Sequence, residues 1–365
     1  MRKLRQAHRV NLALAVLVAV LTVLVGVGAM IRQEYQVQRA KAQTWRRLGH
    51  WALLPVAGGQ TNYPQGIRSR GVPVGGGNLP VTGGDVIHLD SGHTNANDGN
   101  DGTDPRFPMA TLDAAIGRCT ANNGDIILGY PGHVDSIGDA QIDADVAGIS
   151  IIGMGNGPDR PRIDYDHANA SLDIGANGVM VRNWTFRPSV TAVLIGIDIE
   201  ATVTHTRLED LEFLPGEAGD GTDEFVTGIE LKATCTGTKI IGLEYYHHAS
   251  AAGAEQAVHV NGISDRVYIG HFWIEITGAA AVAGILFTGV STRSLIEEGV
   301  ITSDAEPGIQ GDGANTGIIR NVTIFSDLAT IDAATVQTGM AHDNVNYIEV
   351  GNEAETQVKT PSVDD

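Results

Sequence analysis

Aromatic residues are scarce in this chain, at 5% of 365 positions, and charged residues reach only 18%. So few rings, set beside 46 glycines, argue against a helical bundle held by Leu and Phe. They favour a sheet-rich body with many tight turns. Two cysteines, Cys119 and Cys235, are too few for a disulfide framework and read as small buried thiols. Basic charge is missing from most of the chain. Nine of the 24 Lys and Arg lie in residues 1–50, where Glu34 is the single acid, so 15 bases stand beyond against 42 of the 43 acids. An acidic body repels phosphate backbones, which disfavours nucleic acid as a partner. What is present is apolar content, 42% of residues. That suffices for one large core or two ordinary ones and argues against disorder over most of the length.

The basic leader, residues 1–50, contains a membrane-length segment. Residues 11–31 carry no charge, and at about 1.5 Å per residue a helix of that length matches the roughly 30 Å hydrocarbon layer. A retained anchor and a cleaved signal peptide with small residues near Val27 and Ala29 both fit, as does a buried hydrophobic helix in an assembly. Bases flank the segment on both sides and give it no strong orientation. Residues 51–84 are dense in Gly and Pro and read as an extended arm. The body runs over 85–350, and 351–365 is an acidic polar tail.

One register recurs through the body. A small or apolar residue is followed by apolar residues at the third, sixth and eighth places, starting at Val179, Thr206, Thr238, Val267, Ser294 and Gly317. With weaker copies at the ends, the third place falls at Ile151, Val181, Leu208, Ile240, Ile269, Ile296, Ile319 and Val345, a period of about 28 residues. Alternating pairs precede it at a steady offset, as in Ile197/Ile199, Ile229/Leu231, Val258/Val260 and Ile285/Phe287. Period two means strands with one face inward. Two strand pieces and a bent third per repeat describe a coil of a right-handed parallel β-helix, an all-β solenoid, since leucine is too sparse for a leucine-rich repeat and no coil holds a helix-length run. Equivalent positions must then stack. One interior column is expected at Trp184, Leu211, Leu243, Phe272, Gly299, Val322 and Ile348, and its neighbour at Phe186, Phe213, Tyr245, Ile274, Ile301, Ile324 and Val350.

The segment from Asn95 to Ile116, with Asp98, Asn100, Asp101, Gly102, Pro108 and Thr111, resembles the entry segment of pectin-lyase-like β-helix proteins, in which a polar loop leads into a helix capping the first coil. Gly124-Asp125 through Gly132-His133 is similar to that family's first coil. Together with Tyr63-Pro64 through Val72-Pro73, the combination resembles β-helix proteins encoded by tailed phages and their relatives. The resemblance covers about residues 63–350 and implies the fold; activities in that fold range from lyases and hydrolases to tailspikes and inert rods. Ala96 and Met109 depart from the usual Gly and Phe. Physically, a first coil exposes strand edges and core, so it needs a lid. The run from Thr111 to Cys119 supplies one, with Asp104 or Thr111 as its N-cap.

Catalytic signals are thin. No run matches the clustered aspartates of polygalacturonase-type hydrolases or the calcium carboxylates and base of pectate lyases. Glu209-Asp210 and Glu297-Glu298 share a corner but stand three coils apart, roughly 14 Å at a strand spacing of about 4.8 Å, and read as solvated corners. Asp164, Asp166 and His167 form a compact cluster that is either a site or a polar turn. The histidines lack zinc spacing. Asp90, Asp98, Asp101 and Asp104 offer oxygens to Ca²⁺ or close a loop of Asx turns. Between the inward residues of the repeat, the outward positions change from charged to apolar, giving a stripe at Tyr268, Trp273, Leu295, Val300 and Ile318 that marks a partner or glycan surface. The chain therefore reads as a noncatalytic, surface-displayed β-helix, a homo-oligomer with a trimer favoured. It would sit at a virion or cell surface, anchored to a membrane or larger assembly through residues 11–31, or secreted. Alternatives are a polysaccharide lyase or glycoside hydrolase of the same fold, and a glycan-binding module.

Overall fold

Short alternating segments bounded by Gly, Asn and Asp force the chain to turn every few residues, and here the turns recur at the same place in each repeat. The computed structural model describes residues 67–69, 72–74, 83–139, 141–216, 223–247, 254–276, 281–303, 307–311, 314–326, 336–337, 339–349 and 358–359. From Val86 onward these form a right-handed parallel β-helix of three strand stacks. The first runs through Val86–Leu89, Ile126–Gly129, Ser150–Gly153, Met180–Arg182, Arg207–Glu209, Lys239–Ile241 and Tyr268–Gly270 to the starts of Ser294–Ser303 and Gly317–Ser326, then Ala341–Asp343. The second joins Val134–Ile137, Arg162–Tyr165, Thr185–Pro188, Glu212–Phe213, Glu244–Tyr246 and Trp273–Ile276 to the later halves of those two long strands and to Asn346–Glu349. The third orders Ile142–Asp143, Leu172–Ile174, Val193–Ile199, Phe225–Leu231, Gln256–Val260, Ala283–Phe287, Ile309–Gly311 and Val336–Gln337.

A left-handed residue makes the corner between the first and second stacks. Asn183, Asp210, His271, Glu298, Asn321 and Asn344 hold φ between 52° and 60°, and Gly242 takes 73° in the same place. Asn and Asp tolerate this region better than other side chains, so their recurrence has a backbone cause. Past the corner the expected columns form. Trp184, Leu211, Leu243, Phe272 and Val322 are buried, and Phe186, Phe213, Tyr245, Ile274, Ile301 and Ile324 lie beside them. Phe186 stacks on Phe213 at 4.8 Å between ring centres, and Phe213 packs at a tilt against Tyr245 at 5.7 Å. Gly299 is required by its neighbour, because a Cβ there would meet the Phe272 ring at 2.2 Å.

The last coil departs from the expected register. Ile319 pairs with His342 rather than with Val345, and Val345 follows Val322 in the first column, 1% exposed. Ile324 pairs with Tyr347, while Ile348 pairs with Phe325; Val350 lies outside the described residues. The cause is the corner: Asn344 stacks on Asn321 and its Nδ2 donates to Asn321 Oδ1 at 2.8 Å. A polar His342 at the third place hid this copy from an apolar pattern.

Both ends are closed. The lid helix is short, Leu112–Ile116, with Thr111 as N-cap accepting from Ala114 N at 3.4 Å. Leu112, Ala115 and Ile116 are buried, whereas Asp104 serves its own loop. Beneath the lid the first inward position of the second stack is Asp135, paired with Ile163. Asp135 is 6% exposed and accepts from Leu112 N at 2.5 Å, satisfying a free helix-start donor. At the other end Val358–Lys359 pairs antiparallel with Tyr347 and Ile348, so part of the expected tail is a strand that covers the last edge. Ile67–Ser69 and Val72–Val74, within the stretch expected as an arm, also pair antiparallel. Residues 11–31 lie outside the described residues, among which no helix is long and apolar enough to cross a membrane.

Two substitutions test this architecture. Phe213→Ala should lower stability by about 3–5 kcal/mol, read as a shift of the urea midpoint. Asp135→Ala, which orphans a buried amide, should cost about 1–3 kcal/mol; an unchanged midpoint for either would contradict the interior assignment.

Candidate functional site

In the third stack, apolar residues turn inward at alternate positions and leave the residue between them facing out. Leu172-Asp173-Ile174, Ile197-Asp198-Ile199, Ile229-Glu230-Leu231 and Val258-His259-Val260 repeat this triplet on successive coils, with Asp143 before them. Parallel pairing sets Asp143, Asp173, Asp198, Glu230 and His259 in one row, at about 4.8 Å per step. Glu200 and Lys232 follow two residues after Asp198 and Glu230 on the same face, next to each other in the adjoining row.

The groups converge at the middle of the row. One carboxylate oxygen from each of Asp173, Asp198 and Glu200 lies within 4.8 Å of the others, a grouping found at this place among the described residues. Lys232 Nζ reaches Asp198 Oδ2 at 2.7 Å and Glu200 Oε1 at 2.8 Å. Asp198 is 5% exposed and its Oδ1 has no hydrogen-bond partner. Burial pushes the Asp198 carboxyl up to about 6 against the opposing pull of the Lys232 ammonium, and Asp173 and Glu200 add to the rise. Asp173 is also raised by burial, although Ser171 Oγ donates to its Oδ1 at 2.6 Å. The Lys232 ammonium is held well above its usual range by its two carboxylates, which outweigh its own burial. Further along, Asn261 Nδ2 donates to Glu230 Oε1 at 2.6 Å, and His259 Nε2 meets Thr288 Oγ1 at 2.9 Å. Burial lowers the His259 pKa. The result is a polar strip holding a proton-binding carboxyl, a more open carboxylate and a fixed cation.

The residues singled out from the sequence lie elsewhere. Tyr268, Leu295 and Ile318 stack in register on the first sheet, and Trp273 and Val300 on the second, so the stripe is divided by the corner. All face outward; Ile318 is 44% exposed and the others are half-buried. Tyr268 OH donates to Glu297 Oε1 and Trp273 Nε1 to Glu275 Oε1, each at 2.8 Å. The carboxylates of Asp90, Asp101 and Asp104 each close their own turn, and that of Asp98 ties the loop to the start of the lid helix. Asp90 accepts from Gly92 N, Asp98 from Ala110 N and Thr111 N, Asp101 from Thr103 N, and Asp104 from Arg106. Of the compact cluster, Asp164 is clamped by Arg162 and Arg187, and Asp166 accepts from Ser136. Burial pushes the thiol of Cys119 up to about 12 and that of Cys235 to about 11, so neither is a ready nucleophile.

A pattern built on the apolar members of each pair does not register the third-stack row. Its signal is legible afterwards: an acid or His sits between two apolar residues at the same step of four successive coils.

No family model matches the chain, and no curated protein does. Among solved structures it is similar to a rhamnogalacturonan lyase, at 12% identity over 66% of this chain and 74% of that one, TM-score 0.41. It is also similar to a GH136 lacto-N-biosidase from Eubacterium ramulus, at 12% identity over 72% and 67%, TM-score 0.36. A pectate lyase matches at 13% identity over 75% and 78%, TM-score 0.35. These likenesses are slight, and the parallel β-helix is established by the strand pairing within this chain.

The Asp198 proton is directly measurable. Because its folded pKa is raised, the folded state holds this proton more tightly than the unfolded one, and its contribution to stability falls as pH rises from about 4 to about 6. NMR titration should find a carboxyl with a midpoint near 6 that disappears in Asp198→Asn and moves higher in Lys232→Met. A midpoint near 4 in the unmodified protein would remove the acid from the site.

Proposed function

We propose that the chain is a glycan-processing β-helix whose third-stack row hydrolyses a polysaccharide. The observation that carries this reading is the trio Asp173, Asp198 and Glu200 on adjoining coils, with oxygens within 4.8 Å and one member pushed up to about 6. Glycoside hydrolysis needs one carboxyl that keeps a proton and another that is ionised. Asp198 is the proton donor to the departing glycosidic oxygen. Glu200, with a side chain 41% exposed, is the carboxylate that meets the anomeric carbon as the bond breaks, and water then completes the cleavage. Separations this short fit the retaining arrangement, about 5–5.5 Å between carboxyls, better than the inverting one, about 6.5–9.5 Å. Five acids, Asp143, Asp173, Asp198, Glu200 and Glu230, against Lys232 repel a polyuronate, so a neutral or amino sugar suits this strip.

A second reading, the noncatalytic assembly component, is favoured by the in-register column Tyr268, Leu295 and Ile318. In it the chain is a homo-oligomer, a trimer first, at a virion or cell surface, related to phage β-helix proteins and tethered by residues 11–31. Trp273→Glu with Leu295→Lys would then split the assembly, measured by light scattering, without unfolding the coils.

The two readings separate on activity. Incubated with a panel of neutral, amino-sugar and acidic polysaccharides, the protein should release reducing ends without forming unsaturated uronates, and the rate should fall as pH rises past about 6. Asp198→Asn and Glu200→Gln should each reduce the rate by about 10²-fold or more. Release that survives both substitutions would overturn the assignment.

A further inference from the structure

Beyond the acid trio, the same face of the third stack brings a carboxylate, an imidazole and a hydroxyl into line on three successive coils. Glu230 pairs with His259 across Phe225–Leu231 and Gln256–Val260, and Thr288 directly follows Ala283–Phe287, the next strand of the stack. Thr288 Oγ1 lies 2.9 Å from His259 Nε2. The other ring nitrogen, Nδ1, stands 3.9 Å from Glu230 Oε1, a loose spacing that such pairs often hold before substrate binds. Asn261 Nδ2 donates to that same oxygen at 2.6 Å and fixes the carboxylate. A carboxylate facing Nδ1 favours the tautomer with its proton there, which leaves Nε2 to accept from the threonine hydroxyl. Asn261 Oδ1 competes for that hydroxyl, but at 3.3 Å it is the farther acceptor. Burial lowers the His259 pKa against the opposing pull of Glu230 and Glu255, so the ring is neutral and able to take a proton.

The turn around Thr288 suits attack on a carbonyl. Thr288 is exposed, while the side chains of His259 and Glu230 are 15% and 11% exposed. A Cβ on Gly289 would come within 2.3 Å of the Gly262 backbone, so this turn is seated against the one that follows His259. Thr288 N is engaged by Val260 O, whereas the Gly289 amide meets no acceptor among the described residues. The amide after a nucleophile is a common oxyanion donor. Val290 is exposed, as is Ile263 on the coil before it, and the pairing of Ser264 with Ser291 sets the two side by side as apolar surface for an acyl group. We propose that Thr288 and His259, positioned by Glu230, hydrolyse a short acyl ester carried on a sugar hydroxyl. Thr288 Oγ1 bonds to the carbonyl carbon as its proton passes to His259 Nε2, with the Gly289 amide as donor to the oxyanion. The bond from the acyl carbon to the sugar oxygen then breaks, and that oxygen takes the proton from Nε2. Water attacks the acyl-threonine in the same way, so one ester and one water give one acid and one alcohol. The site stands independently of the hydrolytic reading of Asp198 and Glu200.

Acetate release by the full chain tests it, with p-nitrophenyl acetate and glucose pentaacetate as probes. Thr288→Ala should lower kcat/KM by about 10²-fold or more, and Thr288→Ser should retain activity. Glu230→Gln, which acts through the ring, should lower kcat with KM unchanged. A fluorophosphonate ester should add its mass to the unmodified chain at Thr288, found by peptide mapping, and this label serves if a variant fails to fold. No acetate release by the unmodified chain, release that Thr288→Ala leaves unchanged, or a label on another residue would each overturn the proposal. Acetate and new reducing ends are separate products read from the same samples, so a failure of the glycan-cleaving reading and a failure of this one give different results.

Discussion

Stacking register is the constraint on which the rest of the molecule depends. A parallel β-helix has no other device to decide which side chains meet, because each coil touches only the coils before and after it. The left-handed corner supplies that register. Wherever Asn183, Asp210, Gly242, His271, Glu298, Asn321 or Asn344 falls, the next residue enters the core and the previous strand is locked to its neighbour. The final coil shows the rank of the two signals. There the corner asparagines set the pairing, and the third place accepts a histidine as a consequence.

The same stacking explains how polar groups come to be buried in a core built mostly of Ile, Val and Phe. The aromatic half of the interior is tied across stacks by hydroxyls: Tyr165 OH donates to Gly196 O at 2.7 Å and Tyr245 OH to Phe225 O at 3.3 Å. Near the lid the columns pass into His133 and Asp135, both buried. Ser91 N donates to His133 Nδ1 at 2.9 Å, which fixes the proton on the other ring nitrogen if the imidazole is neutral, and Trp184 packs edge-on against the ring. An open apolar column end would invite another edge or another chain. A polar plug under a capping helix ends the stack instead.

On the outer surface, register turns a modest sequence feature into chemistry. One aspartate in a strand is an ordinary solvated group, but the same position repeated at about 4.8 Å places carboxylates close enough to shift one another. Asp198 is raised by burial first and by its acidic neighbours after, while Lys232 keeps the group from repelling itself apart. On the second stack the same register brings Arg162 and Arg187 from neighbouring coils onto the Asp164 carboxylate. One scaffold thus carries an acid-rich strip on the third stack and an arginine clamp on the second.

Apolar alternation is a local property of strands, so the fold class, the coil period, the lid helix and the greater part of both interior columns are legible in the order of residues alone. The outward direction of Tyr268, Trp273, Leu295, Val300 and Ile318 follows from the same alternation. The convergence of Asp173, Asp198 and Glu200 was decided only in three dimensions, since the first two are 25 residues apart and which coil lies beside which depends on the lengths of the loops between them. The register of the last coil and the strand Val358–Lys359 likewise needed tertiary structure, the one because an asparagine ladder outranked the apolar pattern and the other because antiparallel closure of an edge leaves no periodic trace in sequence.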